Sequence, residues 1–92
     1  MTIWKFPVEI TDEFELEMPS DAKILSVQMQ NGSPQLWALV DPKSERVLRT
    51  FYIVETGNPI CFAPSQSEFV GTFQTHGGQL VRHLFAGDER TV

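Results

Sequence analysis

Apolar residues recur at every second position along almost the whole of this chain, and no stretch sets them at the i, i+3, i+4, i+7 spacing of an amphipathic helix. That periodicity constrains the fold more than any other feature, because it leaves alternating faces of pleated strands as the only regular way to bury the apolar set. The chain is predicted to be all-β. In KFPVEIT, Phe6, Val8 and Ile10 alternate with their neighbours, and Phe14, Leu16 and Met18 do so in EFELEM. A bend near Thr11 and Asp12 is enough to join these runs as a first pair of strands. In ILSVQMQ, Leu25, Val27 and Met29 are expected to face the core. LWALV has no polar break and reads as a central strand covered on both faces, with Trp37 in the core. RVLRTFYIVE, FVGTFQ and QLVRHLF supply three more strands.

The punctuation between these runs agrees with short antiparallel connections. Asn31 and Gly32 are the pair that a two-residue hairpin with positive φ favours. Gly77 and Gly78 form a second such turn. Residues 55–67 hold two prolines and several turn formers and read as the longest loop. Residues 87–92 are expected to fray. Residues 1–92 thus form a single small domain of about seven short antiparallel strands, a sandwich or a partly open barrel.

Composition narrows the function classes. With 41% hydrophobic residues the chain can close one core, and 92 residues leave nothing for a second. The formal charge of −5 opposes direct binding to nucleic acid, which needs clustered cations to displace counterions. A lone cysteine, Cys61, leaves no partner for an intramolecular disulfide, and no apolar run marks a signal or membrane span, so a reducing cytoplasm is expected. Two histidines and one cysteine show no metal-ligand spacing, so neither metal nor cofactor is expected. Cys61 lies in the apolar run ICF and reads as a small buried hydrophobe.

The one stretch that hints at chemistry is FVGTFQTHGGQLVRHLF, where His76 precedes the double glycine. A phosphate loop would lead into a helix N-terminus. Here the glycines lead into an alternating strand, so the hairpin reading wins and His76 sits at its tip. His83 shares a face with Val81 and Phe85 and reads as a hydrogen-bonded histidine of a half-buried sheet. The most distinctive polar feature is acidic: Glu13, Glu15 and Glu17 alternate with Phe14, Leu16 and Met18 and form a negative ridge on one strand face. Such a ridge suits a solvated edge protected by its charge, or a surface that docks on a basic patch. Trp4, near the terminus, reads as a candidate exposed anchor.

EITDEFELEMPSDAKILSVQMQNGSPQLWALVDP, RTFYIVETGNPI and VGTFQTHGGQLVRHLF together resemble a family of small uncharacterised proteins encoded by tailed phages and prophages. The resemblance spans nearly the whole chain; Asp21 stands where such relatives tend to have glycine, and Arg82 where they tend to have an apolar residue. It implies an accessory gene product in a bacterial host cytoplasm. The expected function is a non-enzymatic phage protein that binds and inhibits a host protein, an antiphage defence component such as a CRISPR effector being one class of target. Glu13, Glu15 and Glu17 are its expected protein-binding residues. The alternative is a sponge for a small nucleotide, with Arg46, Arg49, His76 and Arg82 as ligand-binding residues. A minor virion structural role and an enzyme using His76 or His83 are further readings. A homodimer is expected, since uncovered strand edges pair readily.

Overall fold

The computed structural model describes all 92 residues, Met1 to Val92. Seven strands form: β1 (Thr2–Pro7), β2 (Glu13–Pro19), β3 (Lys23–Gln30), β4 (Ser33–Val40), β5 (Arg46–Glu55), β6 (Glu68–Thr75) and β7 (Leu80–Thr91). All pairings are antiparallel, in a three-stranded sheet of order β1-β4-β3 and a four-stranded sheet of order β2-β5-β7-β6. The two sheets face each other as a sandwich and do not close into a barrel. Their inner faces supply one core in which Met18, Leu36, Ala38, Val40, Phe51 and Leu84 are fully buried. Each of these sits at an alternate position of its strand, as the period of two demands.

The expected first hairpin does not form. β1 pairs with β4 and β2 pairs with β5, so the chain crosses from one sheet to the other between them. Val8 makes the crossing possible: its N–H donates to Pro34 O at 3.2 Å while its side chain is buried between the sheets. Ile10 is left exposed.

β3 departs from strict alternation. Its register with β4 shifts between Ile24 and Ser26, and this bulge turns both Ile24 and Val27 inward while Leu25 points outward; Met29 shares the face of Val27, opposite Pro34, but lies at the end of the strand and is 38% exposed. The expectation that Leu25 and Met29 are core residues is therefore corrected: the bulge expels Leu25, and the strand's end leaves Met29 uncovered. β4 is the central strand of its sheet as expected, yet Trp37 lies on its half-buried outer face, because Leu36, Ala38 and Val40 already occupy the inner one. Trp4 is the tryptophan that packs against the core, with the Arg46 guanidinium 4.9 Å from its ring centroid. It is not an exposed anchor.

Two turns match their sequence signals. Asn31 and Gly32 have φ of 52° and 82°, and His76, Gly77 and Gly78 have 55°, 66° and 91°, so both connections use the left-handed region that their residues tolerate. Asp21, between β2 and β3, is likewise left-handed at 60°.

The C-terminal residues do not fray. β7 continues to Thr91 and pairs with β5 from Val47 to Arg49. Between these pairs and the rest of the ladder Thr50 faces two residues, Gly87 and Asp88. Glycine is needed there because a Cβ on residue 87 would come within 2.8 Å of the Tyr52 ring and 3.3 Å of Thr50 O. The Arg49 Nε–H donates to Gly87 O at 2.5 Å, and Glu89 accepts from the Asp21 N–H at 2.9 Å. These bonds tie the last strand to β5 and to the β2–β3 turn.

Candidate functional site

The outer face of the four-stranded sheet gathers most of the unusual side chains. Strand register sets Glu13 of β2, Tyr52 of β5, Phe85 of β7 and Phe69 of β6 side by side in one row across all four strands. The loop between β5 and β6 folds back over this row. Phe62 from the loop stacks on Tyr52 with centroids 4.5 Å apart and lies 5.1 Å from Phe85, which in turn meets Phe69 edge-on at 5.4 Å. Phe69 remains 55% exposed at the end of the row. The loop is the longest connection, as expected, but Cys61 beside Phe62 is exposed rather than buried. Phe62 takes the apolar contacts and turns its neighbour to solvent.

β2 is an edge strand, and Glu13, Glu15 and Glu17 are exposed along it while Phe14 and Met18 are buried behind them. The acidic ridge therefore exists as read. Its middle member is neutralised: Arg90 reaches across β5 and donates two near-parallel hydrogen bonds to Glu15, at 2.7 and 2.9 Å. These bonds hold the Glu15 carboxyl below its usual range; desolvation acts the other way, and the charge of the same guanidinium adds a smaller lowering contribution. They raise Arg90 correspondingly. The other ion pairs are Arg49 with Glu89 and Arg82 with Glu55, so Glu13 and Glu17 keep unmatched charge. Four residues of extended strand place them roughly 13 Å apart.

Next to Glu13 lies a cleft of about 370 Å³, between the Ile10–Glu13 connection, the end of β5 and the Asn58–Phe62 part of the loop. Asp12, Glu13, Glu55 and Arg82 supply its charges, and Tyr52, Phe62 and Pro59 its apolar wall. Arg82 is committed within the chain: its guanidinium pairs with Glu55 at 3.0 Å and donates to the Thr75 hydroxyl. Asp12 is fixed by its backbone, whose carbonyl accepts from the Ile53 N–H at 3.0 Å. That leaves its carboxylate free.

The residues proposed for a nucleotide do not converge. Arg46 and Arg49 lie in the first half of β5, whereas Arg82 pairs with Glu55 at its end, about 30 Å from Arg46 and about 20 Å from Arg49 along the extended strand. Arg46 covers Trp4, and Arg49 is spent on Gly87 O and Glu89. His76 shares Thr75 Oγ with Arg82 at the hairpin tip. His83 is held on the outer face between two threonine hydroxyls, Thr56 at Nε2 and Thr72 at Nδ1, both 2.8 Å away. Each threonine hydroxyl can donate or accept, so both ring nitrogens are satisfied, and no carboxylate is bonded to the ring. No group of three or more His, Cys, Asp and Glu side chains is placed to hold a metal ion.

The sequence alone did not bring Asp12, Tyr52 and Phe62 together at one cleft. An aromatic residue inside a turn-rich loop was the available signal for Phe62, since a large apolar ring in a surface segment needs a surface to cover.

A family described as a domain of unknown function, DUF7352, matches residues 1–92. The chain belongs to that family. The matched residues take in both sheets and the loop, so the acidic ridge and the aromatic row both lie within the DUF7352 match. No curated protein and no solved structure matches it.

Proposed function

We propose that this DUF7352 protein is a non-enzymatic phage accessory protein that binds and inhibits a host protein carrying a basic patch, in the bacterial cytoplasm. The observation that carries the reading is the pair of unmatched carboxylates, Glu13 and Glu17, exposed in line on an edge strand beside an aromatic row. Unpaired like charges at fixed spacing raise the encounter rate with a positive surface and select the register in which it docks. The neighbouring rings offer rigid apolar area with little rotamer entropy to lose on binding. An antiphage defence component is the class of host factor to which the resemblance of the sequence leads.

The test is parallel affinity capture from infected host lysate with the wild-type chain and a Glu13→Gln/Glu17→Gln variant. One stoichiometric host protein retained by the wild type and lost by the variant supports the reading. Equal retention by both, or no retained protein, overturns it.

A further inference from the structure

The cleft beside Glu13 has a more specific chemistry than the ridge. Asp12, Glu13 and Glu55 line the cleft together with one guanidinium, Arg82, and that guanidinium is already paired with Glu55. The remaining carboxylates, Asp12 and Glu13, have no cationic partner in the chain. A stacked aromatic pair, Tyr52 and Phe62, lines the same space. The volume of about 370 Å³ lies at the small end of ligand pockets, which run from roughly 300 to 1,000 Å³.

An anionic ligand would meet uncompensated carboxylates there. A planar cation would meet acceptors on one side and aromatic surface on the other. The guanidinium fits this combination better than an ammonium, because its fork of donors matches carboxylate oxygens and its plane stacks on rings. We propose that the cleft is a recognition pocket for an arginine side chain of a basic protein segment, with Asp12 and Glu13 accepting its N–H groups and Phe62, held in place by its stack on Tyr52, packing its other face against the guanidinium plane. This rests on the proposed docking of a basic partner along the ridge and specifies it: Glu13 belongs to both surfaces, so a segment lying along β2 delivers a side chain into the pocket. Glu17, four residues along, remains outside the pocket and serves the segment's other charges.

The pocket and the ridge separate in one calorimetric experiment on the whole chain. The probes are a hexapeptide with three lysines and one arginine, and its all-lysine counterpart of equal charge. The wild type is expected to bind the arginine peptide about tenfold more tightly, the ratio that 1.4 kcal/mol represents. Asp12→Asn, whose side chain carries no hydrogen bond in the fold, is expected to reduce that preference to less than twofold. Phe62→Leu, which keeps apolar bulk and removes the ring, is expected to reduce it as well. Glu17→Gln is expected to weaken both peptides equally and leave the ratio unchanged. If the wild type binds both peptides equally, or the preference survives in Asp12→Asn, the pocket assignment is overturned while the ridge stands. If neither peptide binds, both are overturned.

Discussion

The rings of Tyr52 and Phe62 lie nearly parallel, 8° between their planes and 4.5 Å between their centroids, and this stack fixes the long loop to the outer face of the four-stranded sheet. Phe62 makes the loop's aromatic contacts with the sheet, while Ile60 and Cys61 beside it stay exposed. Offset aromatic pairs add about 0.5–1.5 kcal/mol beyond the area they bury. Phe62→Ala is expected to lower stability by roughly 1–2 kcal/mol, less than a core Phe deletion because the ring is only partly buried. The larger effect is local: limited proteolysis should cut the variant between residues 56 and 67 well before the wild type. Equal cutting rates would mean that the stack does not hold the loop.

The glycine turn supplies a second prediction. A Cβ on Gly77 would meet nothing within 4 Å, so only its φ of 66° opposes substitution, whereas Gly78 at 91° would also approach Gln74 Oε1 at 3.2 Å. Gly77→Val and Gly78→Val are expected to cost roughly 1–3 kcal/mol through left-handed backbone strain, with Gly78 the more affected. Urea denaturation of the two variants checks both the size and the order.

The Glu15–Arg90 pair gives a pH prediction. The hydrogen bonds from Arg90 depress the folded-state pKa of Glu15, so its contribution is present above the unfolded-state pKa and is lost as pH falls through the depressed value. Arg90→Gln should return the Glu15 titration, followed by carboxyl NMR shifts, to the ordinary carboxylate range. The difference in stability between wild type and variant should vanish at acid pH below the folded-state pKa. A Glu15 midpoint that does not move would show that another group sets it.

Much of the fold was legible because alternation is a local signal. Phe14, Leu16 and Met18 could be placed inward, and Asn31-Gly32 could be read as a turn, from neighbouring residues alone. Sheet membership was not legible, since whether the strand containing Phe6 pairs with β2 or β4 depends on contacts between distant residues. Bulges were hidden for the same reason: the extra residue at Leu25 is visible only against its partner strand. The polar tail GDERTV read as frayed because its partners lie far away in sequence. Asp21 is 68 residues from Glu89 and Glu15 is 75 from Arg90. The ridge was legible; the neutralisation of its middle member and the adjoining pocket were not.

Assembly follows from the edges. β3 and β6 lie close together along one side of the sandwich, where a Cβ on Gly71 would come within 2.9 Å of Val27 Cγ1. Of the remaining edges, β2 is guarded by its glutamates, whereas β1 presents TIWKFP with a single charge. A homodimer pairing β1 with β1 is the expected state, and light scattering should give twice 10.4 kDa at high micromolar concentration. A mass of 10.4 kDa would exclude it.

The central claim is that Glu13 and Glu17 dock the protein on a basic partner while contributing little to its folding. Exposed unpaired charges should leave the stability of Glu13→Gln/Glu17→Gln within about 1 kcal/mol of wild type. The decisive measurement is the association rate of wild type and variant with the captured host protein at low and moderate salt. The account predicts slower association for the variant, a wild-type rate that falls as salt rises, and a variant rate that depends less on salt. A folded variant that associates at the wild-type rate in both salts would contradict it.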